Sequence, residues 1–362
     1  MLTTITYACE DLKAYVVRFL QAWDVPEIDA QIAADVLVSA DLRGVSSHGV
    51  IRLHSYYGDR LRKGQIDPLS PIKTVQESPS TLVLDGGNGL GQVVAYRAMS
   101  RCIGMAESTG LAVTTVRNSN HFGIAGYYAM MALADDMIGI SLTNSRPLVA
   151  PTFGREPVVG TNPIAVAVPA GEEKPYVLDM ATSIVPLGRV AVYQKTGQAI
   201  PAGWGINHAG EITEDPRQVI TGGALLPLGG PEELRGYKGY GLSLLVDLLS
   251  GVLSGAAFGP EVGSPHEKGR ANIGHFFAAI KIENFRPIQE FKADMDTYLH
   301  TLKASAKLPG QDRIFIHGEK EFDLAEKYQQ EGIPLLQEVV ESLERAGQAT
   351  GVPFDLTPLE TA

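Results

Sequence analysis

Apolar residues recur at helical spacing through residues 8–42, and a polar junction at Asp24 and Pro26 divides that run. The pattern predicts two amphipathic helices, with Asp24 as a cap for the second. Helical spacing resumes over residues 53–63 and stops at Gly64-Gln65-Ile66-Asp67-Pro68 and Ser70-Pro71, which are turn formers. From residue 72 the period shortens. β-rich runs at residues 72–75, 80–84, 112–116, 138–143, 164–168 and 176–178 alternate with glycine-rich loops and with helical runs at 93–108 and 124–134. Residues 236–253 are apolar nearly all round (Leu242, Leu245, Val246, Leu249 and Val252 among them), which predicts a buried helix. A buried strand over 276–282 follows, then charged helices over 289–303 and 322–329. The last predicted helix covers 334–346, with Pro334 in its first turn.

Strands interleaved with helices predict an α/β fold, a sheet covered by helices on its faces. The division expected is a helical lobe from both chain ends, residues 1–72 and 286–362, around an α/β lobe of residues 73–285. Neither an internal repeat nor a low-complexity segment is visible.

Composition narrows the function. A chain of 362 residues holds one large domain or two, and 44% hydrophobic with 20% charged residues is an ordinary globular balance. The net charge of −11 argues against nucleic acid or an anionic membrane as partner, since both require a basic face. Two cysteines, Cys9 and Cys102, cannot build a disulfide framework, and no Cys/His cluster proposes a metal. Met1-Leu2-Thr3-Thr4 does not begin a secretion signal, and no apolar run reaches the roughly 18 residues that span a bilayer, so the expected address is the cytoplasm.

Candidate chemistry lies in short polar clusters. In Ser46-Ser47-His48-Gly49-Val50-Ile51-Arg52, a helix restarting at the serines would put His48 and Arg52 four apart on one face. A proton carrier beside a fixed guanidinium suits an anionic substrate with a reactive oxygen; the plain alternative is a capped helix start with a surface histidine. Glycines at 86, 87, 89 and 91 follow a strand and precede a helix, but their spacing is not G-x-G-x-x-G, so they read as a tight turn and not a Rossmann loop. His121, amid Asn118 and Asn120, follows a predicted strand at the end where open α/β sheets place ligands. Thr143-Asn144-Ser145-Arg146-Pro147 and Gly160-Thr161-Asn162-Pro163 repeat the pattern of a strand end and small donors. Asp179, ending a buried strand, needs a partner, either a cofactor hydroxyl or a helix end. Lys238 opens the most apolar helix and adds charge to an anion site. These features reach an α/β enzyme acting on a small anionic ligand.

Taken together, Asp41-Leu42-Arg43-Gly44-Val45-Ser46-Ser47-His48-Gly49-Val50-Ile51-Arg52-Leu53, residues 118–127, 160–163, 178–183, 222–230 and 238–242, and Ile316-His317-Gly318-Glu319 resemble, in order, the malate/L-lactate dehydrogenase family of the non-Rossmann type. Residues 118–128 and 143–151 are similar to its archaeal malate dehydrogenase branch. The resemblance implies a homodimer, a large mixed sheet binding NAD or NADP without a Rossmann domain, and hydride transfer between a 2-hydroxy acid and its 2-oxo acid. (S)-Malate and oxaloacetate lead among the substrates. Lactate, sulfolactate, ureidoglycolate or a cyclic imine acid such as piperideine-2-carboxylate are the alternatives, and a non-catalytic binding protein is the rival of another class. It implies His48 as proton donor, His121 as proton acceptor in some members, and Arg52 with Thr161 on the substrate carboxylate. Ser145, Asp179, Met180, Ala181, Lys238, His317, Gly318 and Glu319 match cofactor-contacting positions. His317 stands where many relatives have proline, and Tyr237 where histidine is frequent; both leave the choice between NAD and NADP open.

Overall fold

The computed structural model describes residues 3–263 and 269–359; Met1 and Leu2, read above for a secretion signal, lie outside them. Strand β1 (Thr4–Tyr7) leads into helices α1 (Cys9–Gln21) and α2 (Glu27–Leu42). In α1 the buried Leu12, Tyr15, Val16 and Phe19 form one stripe, with Glu10 and Asp11 in the first turn and Arg18 in the last, each placed to favour the helix dipole. Asp24 does not cap α2: it takes a left-handed turn (φ 61°), and Pro26 occupies the cap position. Residues 53–63 are helical but not uniformly so. Leu53–Gly58 forms a widened π-turn that passes into α3 (Asp59–Arg62).

The central region runs β2 (Lys73–Glu77), β3 (Thr81–Asp85), α4 (Gly91–Thr109), β4 (Leu111–Ser119), α5 (Ala125–Met131), β5 (Met137–Thr143), β6 (Ile164–Val168) and β7 (Tyr176–Met180). A smaller unit follows, α6 (Leu187–Thr196), β8 (Gly205–Ile206), α7 (Pro216–Ile220) and β9 (Ala224–Leu225), with its own core around Val149, Val190 and Leu225. Then come α8 (Tyr237–Asp247), β10 (Ile273–Lys281), α9 (Ile288–Ala304), α10 (Glu319–Glu331), β11 (Ile333–Leu336) and α11 (Gln337–Thr350).

Among the described residues the main sheet has seven strands in the order β2-β3-β4-β10-β5-β6-β7. Only β3 and β4 pair in parallel; every other pair is antiparallel. The sheet is therefore mixed and covered by helices, without the parallel βαβ repeat of a doubly wound nucleotide fold. Its core packs α4 (Val94, Ala98, Met99, Cys102) and α5 against Leu84, Val116 and Phe277. A second core joins the chain ends, where Leu12, Tyr15 and Phe19 meet Val340 and Leu343 of α11, and the Tyr15 hydroxyl donates to the Leu343 carbonyl at 2.6 Å.

Two expectations change here. Pro334 lies in β11, opposite Thr6 of β1, and the last helix starts only at Gln337; a two-stranded ribbon offers proline an edge where no N–H is demanded. The helix of 236–253 is not buried within the chain. Its inward face carries Gly239, Ser243, Val246, Asp247 and Ser250, while Leu242, Leu244, Leu245, Leu248, Val252 and Leu253 are exposed. The inward residues are small because α8 runs close over neighbouring backbone: Ser243 donates to the Gly160 carbonyl at 3.3 Å and its own carbonyl accepts from Asn162 at 3.0 Å. None of the helices among the described residues is long and apolar enough to cross a membrane.

Candidate active site

The strand register brings the polar clusters to one end of the sheet. Ile273 pairs with Ser119, His275 with Thr143, and Ile164 with both Leu142 and Met180. The segments beyond those pairs, 120–126, 144–146, 161–162, and Asp179 with 180–181, therefore converge. Asn144 locks the convergence: its amide donates to Asp247 of α8 (2.9 Å) and the Ala257 carbonyl (2.8 Å), and its oxygen accepts from Gly274 N–H (2.9 Å).

Facing this edge is the turn that follows α2. Ser46–His48 is a single 3-10 turn, and Gly49 (ψ −148°) breaks it before the chain turns helical again at residue 51. His48 and Arg52 thus do not share one helix face. They are brought together because Arg52 Nε donates back to the Ser47 carbonyl at 2.8 Å. The turn is held to α2 by Asp41, whose carboxylate accepts the Val50 N–H at 2.8 Å and lies flat across Gly49, where any Cβ would collide with it. Burial pushes the Asp41 carboxyl up to about 7, with the Val50 N–H opposing.

His48 stacks on His121, with ring centroids 5.4 Å apart and planes 23° from parallel. Ser47 Oγ meets His48 Nδ1 at 2.8 Å. Burial, then the Arg52 charge, push the His48 imidazole down to about 4, so it is neutral near pH 7. His121 Nδ1 meets the Tyr57 hydroxyl at 2.7 Å and accepts the Gly123 N–H at 3.2 Å. Burial first, then Arg52 and His48, hold the His121 imidazole well below its ordinary value. Both rings are surrounded by protein yet keep some solvent-accessible surface.

The other candidates form two further groups. Ser145 and Thr161 touch through their hydroxyls (3.3 Å), Thr161 N–H donates to Ser145 Oγ (3.0 Å), and Asn162 Oδ1 accepts the Ser145 N–H (3.1 Å). Thr182 N–H donates to the Thr161 carbonyl at 2.8 Å, tying this group to the end of β7. There Asp179 accepts the Gly126 N–H at 2.7 Å, in the first turn of α5, and is open to solvent inside a deep setting. The surrounding protein pushes its carboxyl up to about 6, against the Gly126 N–H and the Arg43 charge. Met180 and Ala181 follow it, half-buried. The His317 carbonyl accepts the Val177 N–H at 3.0 Å, and Gly318 (φ 94°) presses on Val177 with no room for a side chain. Glu319 is buried and turned into its own loop, accepting Ile316 N–H (3.0 Å) and pairing with Lys303 (2.5 Å) and Arg313 (3.2 Å). It anchors residues 316–319 against β7. Lys238 stands apart on the exposed first turn of α8 and makes no ion pair among the described residues. Sequence patterning assigned no role to Asp41 or Tyr57; Tyr57 has no local signal at all, because its meaning comes from His121, 64 positions away.

A model of the malate/L-lactate dehydrogenase family matches residues 7–344. Malate dehydrogenase of Pyrococcus abyssi is 51% identical over 344 residues, 95% of this chain and 94% of that one. L-sulfolactate dehydrogenase of Methanocaldococcus jannaschii is 42% identical over 313 residues, covering 86% and 88%. The solved malate dehydrogenase of Pyrococcus horikoshii superposes with a TM-score of 0.89 at 48% identity, covering 97% of this chain and 98% of that one. The chain belongs to the malate/L-lactate dehydrogenase family. It is an oxidoreductase, and dehydrogenases of this family use nicotinamide cofactors. The residues present fit such a group: the hydroxyls of Ser145 and Thr161, the solvent-facing Asp179 carboxylate and the backbone at Met180–Ala181 are the donors and acceptors that ribose hydroxyls and an amide require.

The Asp41 latch has a measurable signature. A carboxyl raised from 3.8 to about 7 binds its proton more tightly in the folded state, so stability falls as pH rises between those values. Asp41→Asn keeps an acceptor for Val50 but cannot ionise. The urea midpoint of the variant should vary less between pH 4 and about 7 than that of the wild type. Equal slopes would show that Asp41 is ionised in the folded protein.

Proposed function

We propose that this dehydrogenase interconverts a small 2-hydroxy acid and its 2-oxo acid, (S)-malate and oxaloacetate first, using NAD or NADP. The observation that carries the reading is the stacked His48–His121 pair with Arg52 tied beside it. Oxidising the hydroxyl requires a group to receive its proton as hydride leaves the same carbon. His48, neutral near pH 7, receives it. Arg52 binds the 1-carboxylate through its guanidinium fork and so fixes the face of carbon presented, with Thr161 assisting. That the substrate carries two carboxylates rests on the likeness to malate dehydrogenases at 51% identity. Ser145, Asp179, Met180, Ala181, Lys238, His317 and Gly318 hold the cofactor, and Glu319 supports them by anchoring the 316–319 segment. The nicotinamide, when bound, accepts or delivers the hydride.

This reading takes residues 1–72 with 286–362 as one lobe and 73–285 as the other, although the chain-end core takes in Leu90 and Val93 and the sheet core takes in Val36. It takes the enzyme to be a cytoplasmic homodimer. The two cysteines are buried free thiols, which suits a reducing compartment. The exposed leucine face of α8 is the dimer contact: an apolar patch of this kind on a helix that also packs over Asn162 is what a second copy would cover.

Three outcomes test the proposal. Reduced-nicotinamide absorbance should report turnover of malate more strongly than of lactate, sulfolactate, ureidoglycolate or piperideine-2-carboxylate in a panel run with both cofactors; absence of turnover with every acid and imine would favour a non-catalytic protein. His48→Ala should lower kcat by about 10²–10⁴-fold with cofactor affinity retained, and Arg52→Ala should act mainly on KM for malate. Sedimentation should show a dimer that Leu245→Glu combined with Leu248→Glu converts to monomer; an unchanged dimer would place the contact elsewhere.

A further inference from the structure

The two stacked histidines are chemically unequal, and the difference lies in what meets each Nδ1. A backbone N–H can only donate, so the Gly123 N–H at 3.2 Å from His121 Nδ1 requires a lone pair on that nitrogen. The Tyr57 hydroxyl at 2.7 Å then also donates to it. Tyr57 is fully buried, which pushes its phenol well above the ordinary value and keeps it a donor. With Nδ1 occupied as an acceptor, the single proton of the neutral ring sits on Nε2. A second proton would have to enter at Nδ1 against two donors, beside the Arg52 charge. At His48, by contrast, the partner of Nδ1 among the described residues is the Ser47 hydroxyl, which accepts as readily as it donates and so serves the ring with or without an added proton. Stacked rings 5.4 Å apart do not carry two positive charges together, and only one of these can carry any.

We propose that Tyr57 and the Gly123 N–H lock His121 as the neutral Nε2–H tautomer, so that His121 donates a hydrogen bond to the reacting substrate oxygen while His48 alone exchanges the proton. Tyr57 is thus a positioning residue, and the inference rests on the dehydrogenase reading above. In oxidation the hydroxyl proton passes to His48 Nε2 as the carbon–oxygen bond gains double-bond character and hydride leaves the carbon. His121 keeps its own Nε2 proton throughout, and in reduction His48 returns the proton to the same oxygen.

Long-range proton–nitrogen correlation spectra of the histidine-labelled enzyme, assigned with His121→Gln, test this directly. His121 should show an unprotonated Nδ1 and a protonated Nε2 at neutral pH. An Nδ1–H tautomer or an imidazolium in the wild type overturns the proposal. In Tyr57→Phe the ring keeps only the longer Gly123 bond, so the Nδ1–H tautomer becomes populated and kcat falls with KM little changed; wild-type spectra and kcat in that variant overturn the role of Tyr57. Activity supplies an independent arm. Glutamine can place an amide N–H where Nε2–H stands, so His121→Gln should stay within about tenfold of wild type, whereas His121→Ala loses about 10²–10³-fold. His48→Gln should be as impaired as His48→Ala. If His121→Gln is no better than His121→Ala, the donor role is wrong. A wild type that turns over no acid, yet shows the Nε2–H tautomer, separates failure of the dehydrogenase reading from failure of this one.

Discussion

The site hangs on one hydrogen bond, from the Val50 N–H to the buried Asp41 carboxylate. Without it nothing obliges the 46–50 turn to fold back on α2, because a 3-10 turn of three residues has little stability of its own. With it, Gly49 is pressed on the carboxylate, His48 is directed at His121, and Arg52 follows within one further turn. The cost is a carboxyl held in a setting that disfavours its charge, with a single N–H in compensation. A buried acid of this kind, beside the two histidines, ties a short irregular segment to the helix before it.

Burial does a second task in the same place. The two histidines are deep enough to be neutral near pH 7 and open enough to meet a solute. Arg52, tied beside them, adds to burial in pushing both imidazoles down, so one guanidinium helps to keep its neighbours unprotonated. Opposite, Asp179 combines a raised carboxyl with the first turn of α5, where free N–H groups offset negative charge.

The sheet explains why so many weak signals come together. Antiparallel pairing through β4, β10, β5, β6 and β7 places strand ends distant in sequence within one edge, and Asn144 ties that edge to α8. The inward face of α8 is small and polar to permit that closeness, which leaves its leucines outward. A helix apolar nearly all round predicts burial, yet its outer side is exposed.

Much of this was legible beforehand. The periodicities of α1, α2 and α4, the strands at 112–116, 138–143 and 164–168, and the polar clusters containing His48, His121, Thr161 and Asp179 are local facts, carried by side-chain spacing and turn chemistry within a few residues. The collinear order of those clusters was enough to indicate the family. What spacing could not express were relations across the chain: β1 pairing with β11 over more than 320 positions, the broken helix between His48 and Arg52, Glu319 turned away into Lys303 and Arg313, and Tyr57 set on His121. Pattern along a chain records which face of an element is apolar, whereas the partner of a buried polar atom is chosen by whichever segment the fold brings within 3 Å. The sequence by itself therefore determined the elements and the residues able to do chemistry, and the tertiary structure decided which of them meet and what faces each histidine nitrogen.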